Sequence, residues 1–155
     1  MIDILKSLFS ADKESENEPI VFGDNDLRLA EAALMCHVIA ADGKITQEET
    51  ARMSSLLKEQ YGLSDAEFEE LFSAARKADL ESVDLYRFTS LLKKHLDREQ
   101  RIGIIEHLWE MVFADGKMHE FEDNVVWRVA ELLGVESRHR MLLKQRVKER
   151  VADAS

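Results

Sequence analysis

The stretch Ala41–Glu49, "ADGKITQEE", decides how this chain is read, because it nearly recurs as Ala114–Glu122, "ADGKMHEFE". Each copy carries Asp-Gly-Lys, then an apolar residue, then a glutamate seven positions after the aspartate. Placing Asp42 on Asp115 also aligns the sequence on either side. Met35 falls on Leu108, Val38 on Met111 and Ile39 on Val112; downstream, Met53 falls on Val126 and Leu56 on Val129. With one deletion in the second copy, Gly62 meets Gly134 and Leu71 meets Leu143. The unit is helix, DG turn, helix, glycine, helix. It occurs twice, with "SVDLYRFTSLLKKHL" between the copies. Such a repeat predicts two similar halves packed about a pseudo-twofold axis.

The flanking sequence predicts helix almost throughout. Gly is scarce at 6 and Pro occurs at 1 position in 155, so little interrupts a helix. "DLRLAEAALMCHVIAA" predicts a buried helix with Leu27, Ala30, Leu34, Val38 and Ala41 on one stripe, stopping at Gly43 in a left-handed cap. Thr46 with Glu49 and Ser64 with Glu67 have the spacing of capping boxes, and Asp97 with Gln100 suits a third cap. Phe68, Leu71, Phe72 and Ala75 face inward, as do Leu85, Phe88, Leu92 and His95 or Leu96. Trp109 and Trp127 are expected in the core, and Ile45 and Met118 as apolar plugs under the turns. No segment alternates with period two for long enough to require a strand. The expectation is all-α: a single compact domain of about seven or eight helices. Residues 26–152 would form the helical domain, with repeat halves of about 27–78 and 100–150.

Residues 1–25 differ from the rest. Ile2, Leu5, Leu8 and Phe9 lie at helical spacing, which suits a short amphipathic helix capping the core, or else a membrane or partner contact. "SADKESENEPIVFGDND" follows as an acidic linker, whose Ile20, Val21 and Phe22 would pin it to the body. No apolar run approaches the roughly 20 residues of a membrane span, and the opening residues lack a signal peptide's basic leader.

The charge of −10 disfavours nonspecific nucleic-acid binding and suits cations or basic partners. The last helix reverses that sign with Arg138, Arg140, Lys144, Arg146, Lys148 and Arg150. Interleaved acids point to a solvated or intramolecular face rather than a nucleic-acid surface. The lone Cys36 excludes an internal disulfide and suits a reducing cytoplasm. Its apolar neighbours argue for an inert thiol rather than a soft-metal ligand.

The chemistry centres on the repeated turns. Asp42 and Asp115 stand at helix C-termini, where a carboxylate is disfavoured by a few tenths to about 1 kcal/mol. Lys44 and Lys117, or a bound cation, would offset that. Glu49 and Glu122 could approach the same ion, and calcium or magnesium prefers such oxygens. The loop is too short for an EF-hand and lacks its D-x-[DN]-x-[DN]-G series. Two carboxylates per turn leave most of the shell to carbonyls and water, so binding on the order of 10⁻⁴–10⁻³ M is expected. A purely structural account competes: Gly43 and Gly116 as caps, Glu49 as part of a capping box. His119 is a poor cap, so capping explains Glu122 less well. The histidines His37, His95, His107, His119 and His139 are scattered, and no phosphate loop, nucleophile elbow or serine triad is visible.

The segments "MCHVIAADGKITQEE" and "MVFADGKMHEFE" resemble the tellurite-resistance TerB family in its broad sense, over roughly Asp26 to Arg146. The resemblance implies a compact all-α bacterial protein linked to tellurite, chemical-stress or metal-linked signalling. It implies no enzymatic activity and suspected cation sites at its acids, carried here by Asp42, Glu49, Asp115 and Glu122. Phe121 replaces Glu48 in the second copy, and the acidic arm and basic last helix are not part of the matched pattern. The expected role is a non-catalytic, cation-sensitive interaction module in a bacterial stress response. It would sit in the cytoplasm, with a protein partner and no nucleic acid, and a peripheral contact with the inner membrane or a membrane protein is left open. The alternatives are a scaffold whose turns bind no metal and, last, a metal-dependent hydrolase, for which no base or nucleophile is arranged.

Overall fold

A computed structural model describes residues 22–23, 26–41, 43–114 and 120–154. The anticipated N-terminal helix and most of the acidic linker lie outside the described residues, as do Asp42, Asp115, Gly116, Lys117, Met118 and His119. Seven helices and no strand occur among the described residues: α1 (Leu27–Ile39), α2 (Gln47–Tyr61), α3 (Asp65–Glu81), α4 (Tyr86–His95), α5 (Arg98–Val112), α6 (Glu120–Leu132) and α7 (Ser137–Ala154). The all-α expectation holds.

Helix α1 is the hub. It packs against α2, α3, α4, α5 and α6, while α7 lies against α5 and α6. This explains a departure from the predicted single stripe. Residues Arg28 through Cys36, with Val38 and Ile39, are all buried, so α1 is covered nearly all round. Its regular turns end at Ile39, with Ala40 as the cap residue, and Gly43 follows at φ +81° with its N–H donating to Ala40 O at 2.9 Å. The stop therefore comes before the glycine, in a short turn rather than at Gly43 itself.

Local signals fix the other helix ends. Thr46–Glu49, Ser64–Glu67 and Asp97–Gln100 each form a complete reciprocal capping box. Gly62 takes the left-handed conformation at φ +65° where α2 ends. The core joins Leu34, Met35, Ile39, Met53, Leu57, Leu71, Leu92, Ile105, Leu108, Met111 and Leu133, all fully buried. Each such side chain contributes roughly 1.5–3 kcal/mol by leaving water. The pairs Met35/Leu108, Val38/Met111, Ile39/Val112, Met53/Val126, Leu56/Val129 and Leu71/Leu143 are buried at both members.

Some side chains depart from expectation. Trp109 is buried and stacks on Phe113, but Trp127 is 43% exposed, with the Arg140 guanidinium over its ring. A cation seated on an indole face gives the surface tryptophan a partner without burial. Ile45 is also partly exposed rather than a plug. His95 points to solvent, and Leu96 packs against the core instead. Phe22 does pin the entry to the body: it is buried, with Arg28 4.7 Å from its ring centre.

Candidate functional site

Thr46 has extended backbone and opens α2. Its hydroxyl accepts from the Glu49 N–H at 3.1 Å. Glu49 turns back, and its Oε1 accepts from the Thr46 N–H at 3.2 Å and the Thr46 hydroxyl at 2.9 Å. This geometry carries Glu49 inward until it is 0% exposed, unusual for the acid of a capping box. Its second oxygen, Oε2, is buried without a hydrogen-bond partner. A buried acceptor left unpaired costs about 1–3 kcal/mol, and more when charged. The capping role thus accounts for one oxygen of Glu49 and leaves the other unexplained.

Glu122 stands at the matching place in the second copy, as the third residue of α6, and it too is 0% exposed. Glu48 and Phe121, the residues just before these acids, both point outward. The structure therefore buries the two predicted glutamates in parallel settings. It gives no placement for the two predicted aspartates, which lie outside the described residues. Among the described residues, no three His, Cys, Asp or Glu side chains stand together as metal ligands.

The segments flanking the turns do converge. One groove, of about 420 Å³, takes Glu48 and Arg52 from the start of α2, Glu110 and Ala114 from the end of α5, and Arg150 from α7. Another, of about 530 Å³, takes Phe121 and Asn124 from the start of α6, His37 and Ala41 from the end of α1, and Asp79 from α3. Each groove joins the helix after one turn to the helix before the other. Positions match across the repeat: Glu48 with Phe121, Glu110 with His37, Ala114 with Ala41. The chemistry has diverged. In the first groove, Glu110 is held by Arg52 at 2.8 Å and by Arg150, which also reaches Glu106 at 3.0 Å. In the second, His37 Nδ1 lies 2.7 Å from Asp79, with Arg76 3.8 Å away, and Leu80 and Phe121 are largely exposed.

A further cluster was not foreseen. Glu31, 1% exposed at the middle of α1, accepts a short hydrogen bond from the Tyr61 hydroxyl and one from Gln60 Nε2 at 3.1 Å. His107 Nδ1 faces its other oxygen at 3.5 Å. Burial, helped by the Glu31 charge and hydrogen bond, raises the Tyr61 phenol well above its ordinary range. Burial of His107 works against its charged form. The Glu31 hydrogen bond and the charges of Glu31, Glu110 and Glu106 outweigh it, so the imidazole titrates above its ordinary 6.5. The signal in the sequence was Glu31 itself, an acid inside the apolar run "RLAEAALMC".

Cys36 is fully buried. Burial, then the Asp79 charge, pushes its thiol up to about 12, with Arg76 opposing. That leaves an inert thiol, since the nucleophilic and metal-ligating form is the thiolate. Three of the six basic side chains of the last helix are engaged within the molecule, while Arg138, Arg146 and Lys148 are exposed. Arg140 stacks on Trp127, Lys144 pairs with Asp123 at 2.5 Å, and Arg150 holds Glu106 and Glu110. No helix among the described residues is long and apolar enough to cross a membrane.

An all-helical body, with Glu49 and Glu122 buried in the first turns of α2 and α6 and with grooves lined from several helices, defines a small helical module. The family model described as "Tellurite resistance protein TerB" matches residues 28–145, from the first turn of α1 into α7. The chain belongs to that family. Comparison with curated proteins and with solved structures gives no match.

Proposed function

We propose that this chain is a non-catalytic, cation-sensitive interaction module of a bacterial stress response. The observation that carries the reading is Glu49 Oε2: a fully buried carboxylate oxygen with no hydrogen-bond partner, beside a DG turn. An oxygen of this kind fits a hard cation, which prefers carboxylate ligands. Asp42 with Glu49, and Asp115 with Glu122, would each hold an ion, calcium or magnesium, with carbonyls and water completing the shell. Each ion supplies positive charge where a helix C-terminus and a buried acid gather negative charge. Glu49 and Glu122 are fixed on α2 and α6, so an ion bound there ties each turn to the helix that follows it. Stiffened turns then present the groove rims, with Glu48 and Ala41 on one copy and Phe121 and Ala114 on the other, to a protein partner. A peripheral contact with a membrane protein fits the same surface, whereas the net charge of −10 does not favour nucleic acid.

A scaffold role without metal is the second reading, favoured by the complete capping box around Glu49 Oε1. Amide NMR spectra recorded over calcium and magnesium titrations separate the two, using wild type and an Asp42→Asn/Asp115→Asn variant. The cation reading expects saturable shifts in the wild type that vanish in the variant. Shifts that are absent, or identical in both proteins, support the scaffold.

A further inference from the structure

The Glu31–His107 pair connects the two helices that lead into the DG turns. Glu31 lies on α1 and His107 on α5, and the pair is enclosed: Glu31 is 1% exposed and the His107 side chain 24%. Their meeting point is stiffened from α2, because Tyr61 and Gln60 both donate to Glu31 Oε2 and leave Oε1 to face His107. We propose that Glu31 and His107 form a proton-operated tie between α1 and α5 that sets how the C-terminal ends of these helices, up to Ala41 and Ala114, sit relative to one another. When His107 is protonated, a charged pair spans the helices inside the core. When the proton leaves, only a neutral ring faces a buried carboxylate.

The surroundings favour the charged state. Glu106 and Glu110 lie on the same helix and add negative charge near the ring. From α2, Arg52 is committed to Glu110; from α7, Arg150 is committed to Glu106 and Glu110. On α6, Asp123 is engaged by Lys144, and Arg140 lies 3.9 Å from Glu131. On α1, buried Arg28 is paired with Asp26 at 2.7 Å, so the arginines around the pair are held by other acids while His107 faces Glu31. The raised pKa of His107 places the change of state above 6.5. Because α1 and α5 are rigid helices that end at Ile39 and Val112, a shift at their crossing is carried to the residues that enter each turn. The tie stands on the α1–α5 geometry and needs no ion at the turns.

The test is an NMR pH titration from about pH 5 to 9 without divalent cations. His37 and His119 are replaced by Gln, because both are near the reporters in sequence. The ring signals of His107 and the amides of Ala41 and Ala114 are followed together. The tie expects one shared midpoint above 6.5, lowered in a Glu31→Gln variant, with the amide response lost in His107→Gln. Flat Ala41 and Ala114 amides while His107 titrates, or amide midpoints indifferent to Glu31→Gln, would overturn it. If both variants fail to fold, the comparison of ring and amide midpoints in the His37→Gln/His119→Gln protein decides alone. A failure here leaves the calcium titration untouched, so the two readings fall separately.

Discussion

Replacing Glu49 by Gln probes the cation reading through stability. Gln keeps an oxygen to accept from Thr46, so the capping box survives as a neutral pair. Losing the charge from those bonds costs about 1 kcal/mol. Gln puts a neutral amide NH2, itself without a partner there, where Oε2 stood, so what is returned is only the extra cost of burying a charge over a neutral polar group, roughly 1–3 kcal/mol. Without divalent cations, the variant should therefore be as stable as wild type or up to about 2 kcal/mol more so. Calcium reverses the order. At about 10 mM calcium and a dissociation constant of 10⁻⁴–10⁻³ M, binding to the folded state alone adds roughly 1.4–2.7 kcal/mol. Wild type should gain that amount at each of its two turns, and Glu49→Gln only the share of the Asp115–Glu122 turn. Urea unfolding at fixed ionic strength, with and without calcium, reads all four values. Equal stability of wild type at both calcium levels, or an equal gain in the variant, would refute the reasoning.

Two other perturbations follow from local geometry. Gly62 sits at φ +65° with open space around an added Cβ, so Gly62→Ala should lose about 1–2 kcal/mol from backbone strain alone. Gly103, inside α5 and also unobstructed, should respond with the opposite sign: Gly103→Ala should gain roughly 0.5–1 kcal/mol, and paired urea curves would show both shifts. Cys36, with its thiol pushed to about 12 and no exposed surface, should resist a thiol reagent at pH 8 in the folded state and react once urea unfolds the chain. Rapid reaction of the native protein would contradict the buried placement.

Much of the fold was legible because it is written locally. Thr46–Glu49, Ser64–Glu67 and Asp97–Gln100 are short-range patterns whose partners are three residues apart, and each formed as a capping box. The duplicated spacing also located the matched core positions, which are buried on both sides. Where tertiary packing decides, the reading was weaker. Periodicity placed one stripe of α1 inward, but the helix is central and buried nearly all round. Trp127 was expected in the core on size and hydrophobicity, while Arg140, 13 residues away, gave it a surface partner. Glu31 and His107 lie 76 residues apart, and Arg52 and Glu110 lie 58 apart. No local spacing relates such partners. At the site, the inward turn of Glu49 and Glu122 was not legible either, since their burial is set by packing rather than by spacing.

The most direct measurement is calcium affinity read separately at the two turns. In one NMR titration of the wild-type chain, the amides of Ala41 and Ala114 report the entry to each turn. The account predicts that both shift, saturate, and give dissociation constants on the order of 10⁻⁴–10⁻³ M. Shifts that rise linearly without saturation at both residues, as general salt screening would produce, would contradict it.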